Sequence, residues 1–380
     1  MKLLIDKHAR YFQLCLNSLP QKAQSEDSNK LALVYFNLYG LALIGKLDLE
    51  KCSGYVDYVY QHLIPLQDLL IQAFRSSNTF ALDSSKNDYD LPNLSSTFFA
   101  LAILLVLEED FSSKIDRHKI MNFVSRCQVK DGLEKGAFRP VLDCNGNPYG
   151  ESDLRLCYVA ASIRTILGYD KLPASERVND FDIAALEAFI LDKVAIAGGL
   201  SSAACAEAHS GLTFCGIAAL KQISREHFLS GANWIDSTIE WLAHRQVDYP
   251  DLLYKEDYEF YDSIDEGGFN GRPNKFADTC YSWWVMALMQ MLCHDGLLFD
   301  LPRALEYLLG VTQHKLMGGF GKDGQAFPDP FHSFLGIASI ALIHQNAPDL
   351  EFEGMESLQP VDVELVILKK LRDFIDQLWS

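Results

Sequence analysis

Six stretches of this chain are apolar almost all the way round: residues 31–44, 96–107, 153–167, 210–220, 279–293 and 332–343. Each has the length of a helix, is rich in alanine and leucine, and is too continuous for a half-exposed face, so each is expected to be a buried helix. Between them lie segments with a one-sided pattern, 56–74, 113–127, 183–194, 234–245 and 302–311. On 234–245, Trp234, Ile235, Ile239, Trp241 and Leu242 form a stripe while Asp236, Glu240 and Arg245 fall elsewhere. Strand signals are nearly absent. Buried helices alternating with amphipathic ones predict an all-α fold of two concentric rings, an (α/α)6 barrel or α/α toroid with six inner and six outer helices. An open helical solenoid is the competing architecture. Length alone, 380 residues, would suggest two or three domains, but a closed repeat array runs as one unit, so 1–380 is expected to be a single domain.

A repeated turn supports closure. Gly198-Gly199-Leu200, Gly267-Gly268-Phe269 and Gly318-Gly319-Phe320 recur between an outer segment and the next inner one, with Asp131-Gly132-Leu133 a weaker relative. The spacing from Gly199 to His209 equals that from Gly268 to Asp278, so these two side chains should occupy equivalent helix starts. Allowing one extra residue in the Gly319 loop, Pro330 takes that place and His332 the place of Cys280; in the Asp131 unit, Asp153 and Arg155 fall on the same two positions. Packing gives no reason to gather His, Asp, Arg and Cys on one rim, which marks that rim as a candidate site.

Composition narrows the function classes. A formal charge of −18 argues against a general nucleic-acid binder, and no apolar run is long enough to span a membrane. The amino terminus carries Lys2, Asp6, Lys7 and Arg10 where a signal peptide needs an apolar core, so a cytoplasmic location is expected. Nine cysteines without C-x-x-C spacing do not form a disulfide framework.

Asp278 and Cys280 with His332 from the next inner segment offer one carboxylate, one thiolate and one imidazole. Three mixed ligands with a fourth position open suit catalytic zinc, although a D-x-C match alone also fits a helix cap followed by a buried thiol. An open zinc position can hold a second thiol as thiolate, so the substrate could itself be a cysteine. Arg272, Lys275, Tyr281 and His209 are four donors suited to a diphosphate. Phe98, Phe99, Tyr158, Phe214, Trp283 and Trp284 would line an aromatic interior able to hold a long apolar chain, the alternative being plain core packing.

At these residues the sequence resembles the β subunits of protein prenyltransferases, most closely the geranylgeranyltransferase type I branch. GGFNGRPNKFADTCYSWW and HSGLTFCGIAAL are highly specific to the family, ESDLRLCYVAAS is supporting, and the likeness runs from DKHARYFQLCL to the helix after His332. The resemblance implies one Zn2+ on Asp278, Cys280 and His332, diphosphate contacts from His209, Arg272, Lys275 and Tyr281, and Arg155 near the peptide's C-terminal end and the isoprenoid. It implies transfer of geranylgeranyl from geranylgeranyl diphosphate to the cysteine of a C-a-a-X sequence, X mostly Leu, on Rho/Rac/Rap-type small GTPases. It also implies an obligate prenyltransferase α subunit in a heterodimer.

Further expectations rest on the same resemblance. Ala32 stands where farnesyltransferases carry a tryptophan that shortens the lipid pocket, and Phe36, Trp283 and Phe331 are expected around lipid and peptide. Lys322 stands where farnesyltransferases carry a magnesium-binding aspartate; its ammonium would take the cation's place on the diphosphate, so Mg2+ should not be required. Phe331 and Leu156 differ in shape from residues found there in some relatives, which leaves the terminal-residue preference open. Residues 247–266 look inserted and are rich in carboxylates, either as a solvated loop or as a guide for basic GTPase tails. The alternatives are a Rab geranylgeranyltransferase or farnesyltransferase β subunit and, from another class, a non-catalytic α/α-toroid interaction scaffold. A terpene cyclase shares the toroid logic, yet the chain has no D-x-D-D motif.

Overall fold

The computed structural model describes residues 1–19, 21–66, 70–79, 91–224, 233–249, 261–293 and 296–380. The inner helices are Lys30–Leu43, Leu94–Val106, Leu154–Ile166, Ser210–Gln222, Thr279–Leu292 and Pro330–Asn346. Each packs against the next, and the sixth packs against the first, so the ring is closed and the open solenoid is excluded. The continuous apolar character of these helices is explained by burial on every side, against inner neighbours laterally and outer helices behind.

The outer layer comprises Ile5–Asn17, Gly54–Tyr60, Arg117–Arg126, Ile183–Leu191, Asn233–Ala243 and Leu301–Glu306. Two sequence expectations change here. The sixth outer helix is Ile5–Asn17, which buries His8, Ala9, Tyr11 and Phe12 on one face and was absent from the one-sided segments. The expected helix over 56–74 ends at Tyr60, and 63–66 pairs with 71–74 as a hairpin; Pro65 has no N–H to continue a helix. Two shorter hairpins, 141–142 with 148–149 and 361–362 with 367–368, complete the strands among the described residues. Of the acidic stretch 247–266, residues 250–260 lie outside the described residues.

The repeated turn is what clamps the layers. Gly198, Gly267 and Gly318 all have positive φ, and a Cβ on each would lie 2.2, 2.5 and 2.4 Å from a backbone atom of Ser237, Arg303 and Lys7, respectively, on the following outer helix. Only glycine permits both the conformation and the contact. In the earlier unit this role falls to Gly136, whose Cβ would meet the Ala185 carbonyl at 2.0 Å, whereas nothing approaches Gly132. The relative of the Gly-Gly turn is therefore Gly136-Ala137-Phe138. Gly318 docks on Lys7, so the last turn closes onto the first outer helix.

Candidate active site

The repeat delivers a helix N-cap to the same rim position again and again. Asn93, Asp153, His209, Asp278 and Asp329 each precede an inner helix and accept a backbone N–H from its first turn. Such capping satisfies one of the orphan amides at a helix start. The last unit corrects an expectation: Asp329, and not Pro330, is the equivalent of Asp278. Thr213 Oγ accepts the Leu200 N–H and Ser333 Oγ the Phe320 N–H, both across thirteen residues, so no extra residue is present in the Gly319 loop. His332 consequently sits one position further into its helix than Cys280 does.

Asp278, Cys280 and His332 offer ligand atoms that all lie within 4.8 Å of one another. Asp278 and Cys280 are buried, and His332 is mostly so. His332 Nε2 faces Asp278 Oδ1 at 3.3 Å, while its Nδ1 lies 2.6 Å from Asp329 Oδ2. A carboxylate behind an imidazole fixes the ring and its tautomer and leaves the other nitrogen aimed at the cluster, the usual support of a metal-binding histidine. Oxygen, nitrogen and sulfur donors at this spacing fit a single borderline-soft cation such as zinc. Electrostatics agree. Burial, then the Asp278 charge, pushes the Cys280 thiol far above its usual range. Burial alone would lower His332, but hydrogen bonds to Asp278 and Asp329 raise it to about 9. Without a cation, protons occupy the places where a cation would sit.

Beside this cluster lies a polar cleft of about 480 Å³, with Arg272, Lys275, Tyr281 and Lys322 in its wall. Backbone contacts between units bring these side chains together. The Ser210 N–H donates to the Gly271 carbonyl at 3.0 Å, and the Thr279 N–H to the Lys322 carbonyl at 2.8 Å. Gly271 also lets the Tyr281 ring lie on the chain, since a Cβ there would meet the ring at 2.2 Å. The cleft carries carboxylates too, but the three outside the cluster are engaged with backbone: Asp323 caps Gln325 and Ala326, Asp262 accepts the Ile264 N–H at 3.1 Å, and Asp265 accepts the Ala277 N–H at 2.7 Å. Burial pushes Asp265 up to about 6.

His209 links the cleft to the interior. Its Nδ1 accepts the Gly211 N–H at 3.1 Å, which leaves the proton on Nε2, 3.1 Å from the Tyr281 hydroxyl. Nε2–H then donates to the phenol oxygen, and the phenol's own proton is free to point at a ligand. Burial, then Arg272 and Arg155, lowers the His209 pKa and keeps the ring neutral. Arg272 rests against Glu207 at 3.2 Å.

Behind the rim is a largely apolar cavity of about 670 Å³, walled by aromatics that include Tyr35, Phe98, Phe99, Tyr158 and Trp284. Cys280, Tyr281, His209 and Arg155 stand at its mouth, and Phe36 and Phe331 lie along its wall. Trp284 faces the cavity; Trp283, expected there, is fully buried and does not line it. Adjacent positions on a helix point about 100° apart, and the spacing did not say which tryptophan faces inward. Phe214 is likewise buried behind the wall, against Tyr158 and Trp284. Ala32 is half-buried one turn before Phe36 and does not line the cavity. Arg155 is exposed and held by Asp153 through two hydrogen bonds. Asp329, Glu207 and Asp265 were missed; an unshifted ten-residue spacing from Gly319 would have found the first.

Residues 3–367 match the prenyltransferase alpha-alpha toroid domain. The chain belongs to that family. It is 29% identical over 368 residues to an Arabidopsis thaliana geranylgeranyl transferase type-1 subunit beta, covering 93% of this chain and 87% of the relative. It is 28% identical over 350 residues to the Schizosaccharomyces pombe protein farnesyltransferase subunit beta, covering 89% and 78%. Its structure superposes with a TM-score of 0.89 and 43% identity on Candida albicans protein geranylgeranyltransferase-I complexed with GGPP, covering 100% of both chains. No helix among the described residues is long and apolar enough to cross a membrane.

Proposed function

We propose that this chain is the catalytic β subunit of a type I protein geranylgeranyltransferase, a zinc enzyme that moves a C20 geranylgeranyl group from its diphosphate to a C-terminal C-a-a-X cysteine, X mostly Leu. The observation that carries this reading is the meeting point of three environments: a cation-lined cleft, a long aromatic cavity, and the Asp278–Cys280–His332 cluster between them. Residues 1–380 form one such domain, with 247–266 an acidic insertion in it.

The apolar cavity would take the isoprenoid by burial of its surface, with the diphosphate left in the polar cleft. Arg272, Lys275 and Lys322 bind its charge, and Tyr281 donates its hydroxyl proton to an oxygen, oriented from behind by His209. Asp278, Cys280 and His332 would hold zinc, with Asp329 fixing His332. When bound, zinc supplies the Lewis acidity that keeps a cysteine substrate deprotonated near neutral pH. The sulfur–carbon bond forms as the carbon–oxygen bond to diphosphate breaks, and the electron pair leaves with the diphosphate. The cations of the cleft then act where negative charge grows, which is the condition for accelerating the step. Lys322 supplies charge without a second metal, so Mg2+ is not required.

A helical α subunit completes the enzyme, Rho/Rac/Rap-type GTPases are its protein substrates, and the cytoplasm is its location. The test is co-expression with a prenyltransferase α subunit, followed by zinc analysis and transfer assays with C15 and C20 donors on peptides ending in Leu or Ser. About one zinc per heterodimer and preferred transfer of C20 to Leu-ending peptides are expected. A C15 preference on Ser-ending peptides would assign the chain to farnesyl transfer, and transfer only with an escort protein to the Rab type. Absence of zinc and of transfer would leave an interaction scaffold.

A further inference from the structure

The cavity is shallow for the barrel that contains it. On five inner helices the lining residues reach no deeper than the sixth position, as at Phe99, Val159, Cys215, Trp284 and Leu335, and on the first they end at Phe36, the seventh. At 1.5 Å per residue this is about 10 Å of depth, whereas the inner helices run 13 to 17 residues. What ends it is Val366, which lines the cavity from the opposite end of the barrel. Val366 belongs to the turn of the hairpin joining 361–362 to 367–368, with Leu365 and Ile367 fully buried beside it.

Val366 is held there in a conformation its side chain disfavours. Its φ is +58°, the left-handed region, where a β-branched residue is strained unless its surroundings impose it. The surroundings do. The Tyr35 hydroxyl donates to the Val366 carbonyl at 2.6 Å. Gln222, the last residue of its inner helix, donates to the Glu364 carbonyl at 2.9 Å. Gln345, near the end of the sixth, exchanges two hydrogen bonds with the Val361 backbone at 3.0 and 3.3 Å. Arg372 grips Asp362 with two bonds at 2.8 and 2.9 Å and Glu364 with one at 3.0 Å. Three inner helices and the helix Leu371–Leu378 thus fix the hairpin as a rigid stopper, and a glycine, which would relax the turn, would leave the cavity deeper.

We propose that Val366 is a specificity-determining residue, the floor that limits the length of the prenyl chain this cavity accepts. The proposal rests on the prenyl-transfer function proposed above. A terminal isoprene unit longer than the cavity would have to displace a braced hairpin, while one shorter would leave apolar surface above Val366 unfilled, and a hydrophobic pocket discriminates through such fit.

The test compares kcat/KM of the heterodimer for C15, C20 and C25 diphosphates in wild type, V366G and V366F. Glycine adopts the observed φ without strain, which offsets part of the burial lost with the valine side chain, and the hydrogen bonds that brace the hairpin remain, so V366G should still fold. V366G is expected to raise the C25-to-C20 ratio about tenfold or more, and V366F to raise the C15-to-C20 ratio by a similar factor. A V366G enzyme that transfers C20 but keeps its C25-to-C20 ratio within about twofold of wild type overturns the proposal, whatever V366F does. A wild-type heterodimer that transfers none of the three diphosphates overturns instead the function on which the proposal rests.

Discussion

Asp153 and Asp278 occupy the same place in two units of the repeat, with the unit of His209 between them, yet only one of them stands in a reactive cluster. Each caps an inner helix by accepting the N–H two residues on, at 2.8 and 2.9 Å. Beyond the cap they diverge. At Asp153 the residue two on is Arg155, exposed and bound back onto the carboxylate. At Asp278 it is Cys280, a buried thiol, and the next unit adds His332 Nε2 at 3.3 Å. The backbone device therefore builds a position, and the reactivity comes from the residue two further on together with the side chain that the neighbouring unit presents.

The sharpest way to break this comparison is to exchange the residues two on. Cys280→Ala should lower transfer about a thousandfold or more, the loss expected when Lewis-acid assistance worth several kcal/mol disappears. Arg155→Ala should raise peptide KM with kcat little changed. Single-turnover and steady-state assays on the heterodimer separate the two, and similar losses in both variants would show that the two caps are not functionally distinct.

Proton linkage tests the cluster next. In the metal-free chain, His332 is raised to about 9 and Cys280 lies far above its usual range, so both carry protons at neutral pH that a cation must displace. Zinc affinity should rise with pH by about a hundredfold per unit between pH 6.5 and 8, one decade for each proton released. Competition against a chelator over that range measures the slope. The His332 ion pairs themselves work in the opposite sense. They stabilise the metal-free fold fully below the unfolded pKa of 6.5 and lose that contribution as pH rises through about 9.

Substitutions at the caps sharpen the contrast further. Asparagine caps as well as aspartate, so Asp153→Asn should alter stability by less than about 1 kcal/mol, while Asp278→Asn keeps the cap and gives up only the carboxylate opposite His332. Only Asp278→Asn should lose zinc on dialysis against chelator. Asp329→Ala should weaken zinc about 10- to 100-fold through the freed His332 ring and cost about 1 kcal/mol of cap; Asp329→Asn keeps the cap and isolates the metal effect. The smallest expected change concerns the cleft. Lys322→Ala should slow transfer about tenfold, the loss of one charged contact, while adding or removing magnesium leaves the wild-type rate unchanged.

Much of this was legible in the sequence because the repeat made it so. Six continuous apolar segments specify helices covered on all sides, and equal spacing from glycine to cap places His209 and Asp278 on one rim. Where the spacing was adjusted, it misled: the allowance of one residue in the Gly319 loop hid Asp329, the very group that orients His332. Trp283 and Trp284 could not be told apart, because a helix apolar on every side gives no signal for which of two neighbours faces a cavity. Val366 was beyond reach for a different reason. Its place depends on a chain segment that returns from the far end of the barrel, and neither periodicity nor motif marks it. The helix over 5–17 went unrecognised as an outer element until the closure of the ring assigned it.

That closure sets an order in time. The Gly319 N–H donates to His8 across 311 residues, and His8 is stacked on Phe320 and hydrogen-bonded to Gln313. At translation rates of about 5–20 residues per second, the first outer helix must wait roughly 15 to 60 s for the last of the partners that bury it. Phe12 can pack early, on Gly40 of the first inner helix, but until then the part of the face that carries His8 and Tyr11 lacks the Gly319 turn that covers it. An early-made segment with a late-made partner is a natural client for a chaperone, and the ring can pass into its cooperative state only after the last Gly-Gly turn has emerged.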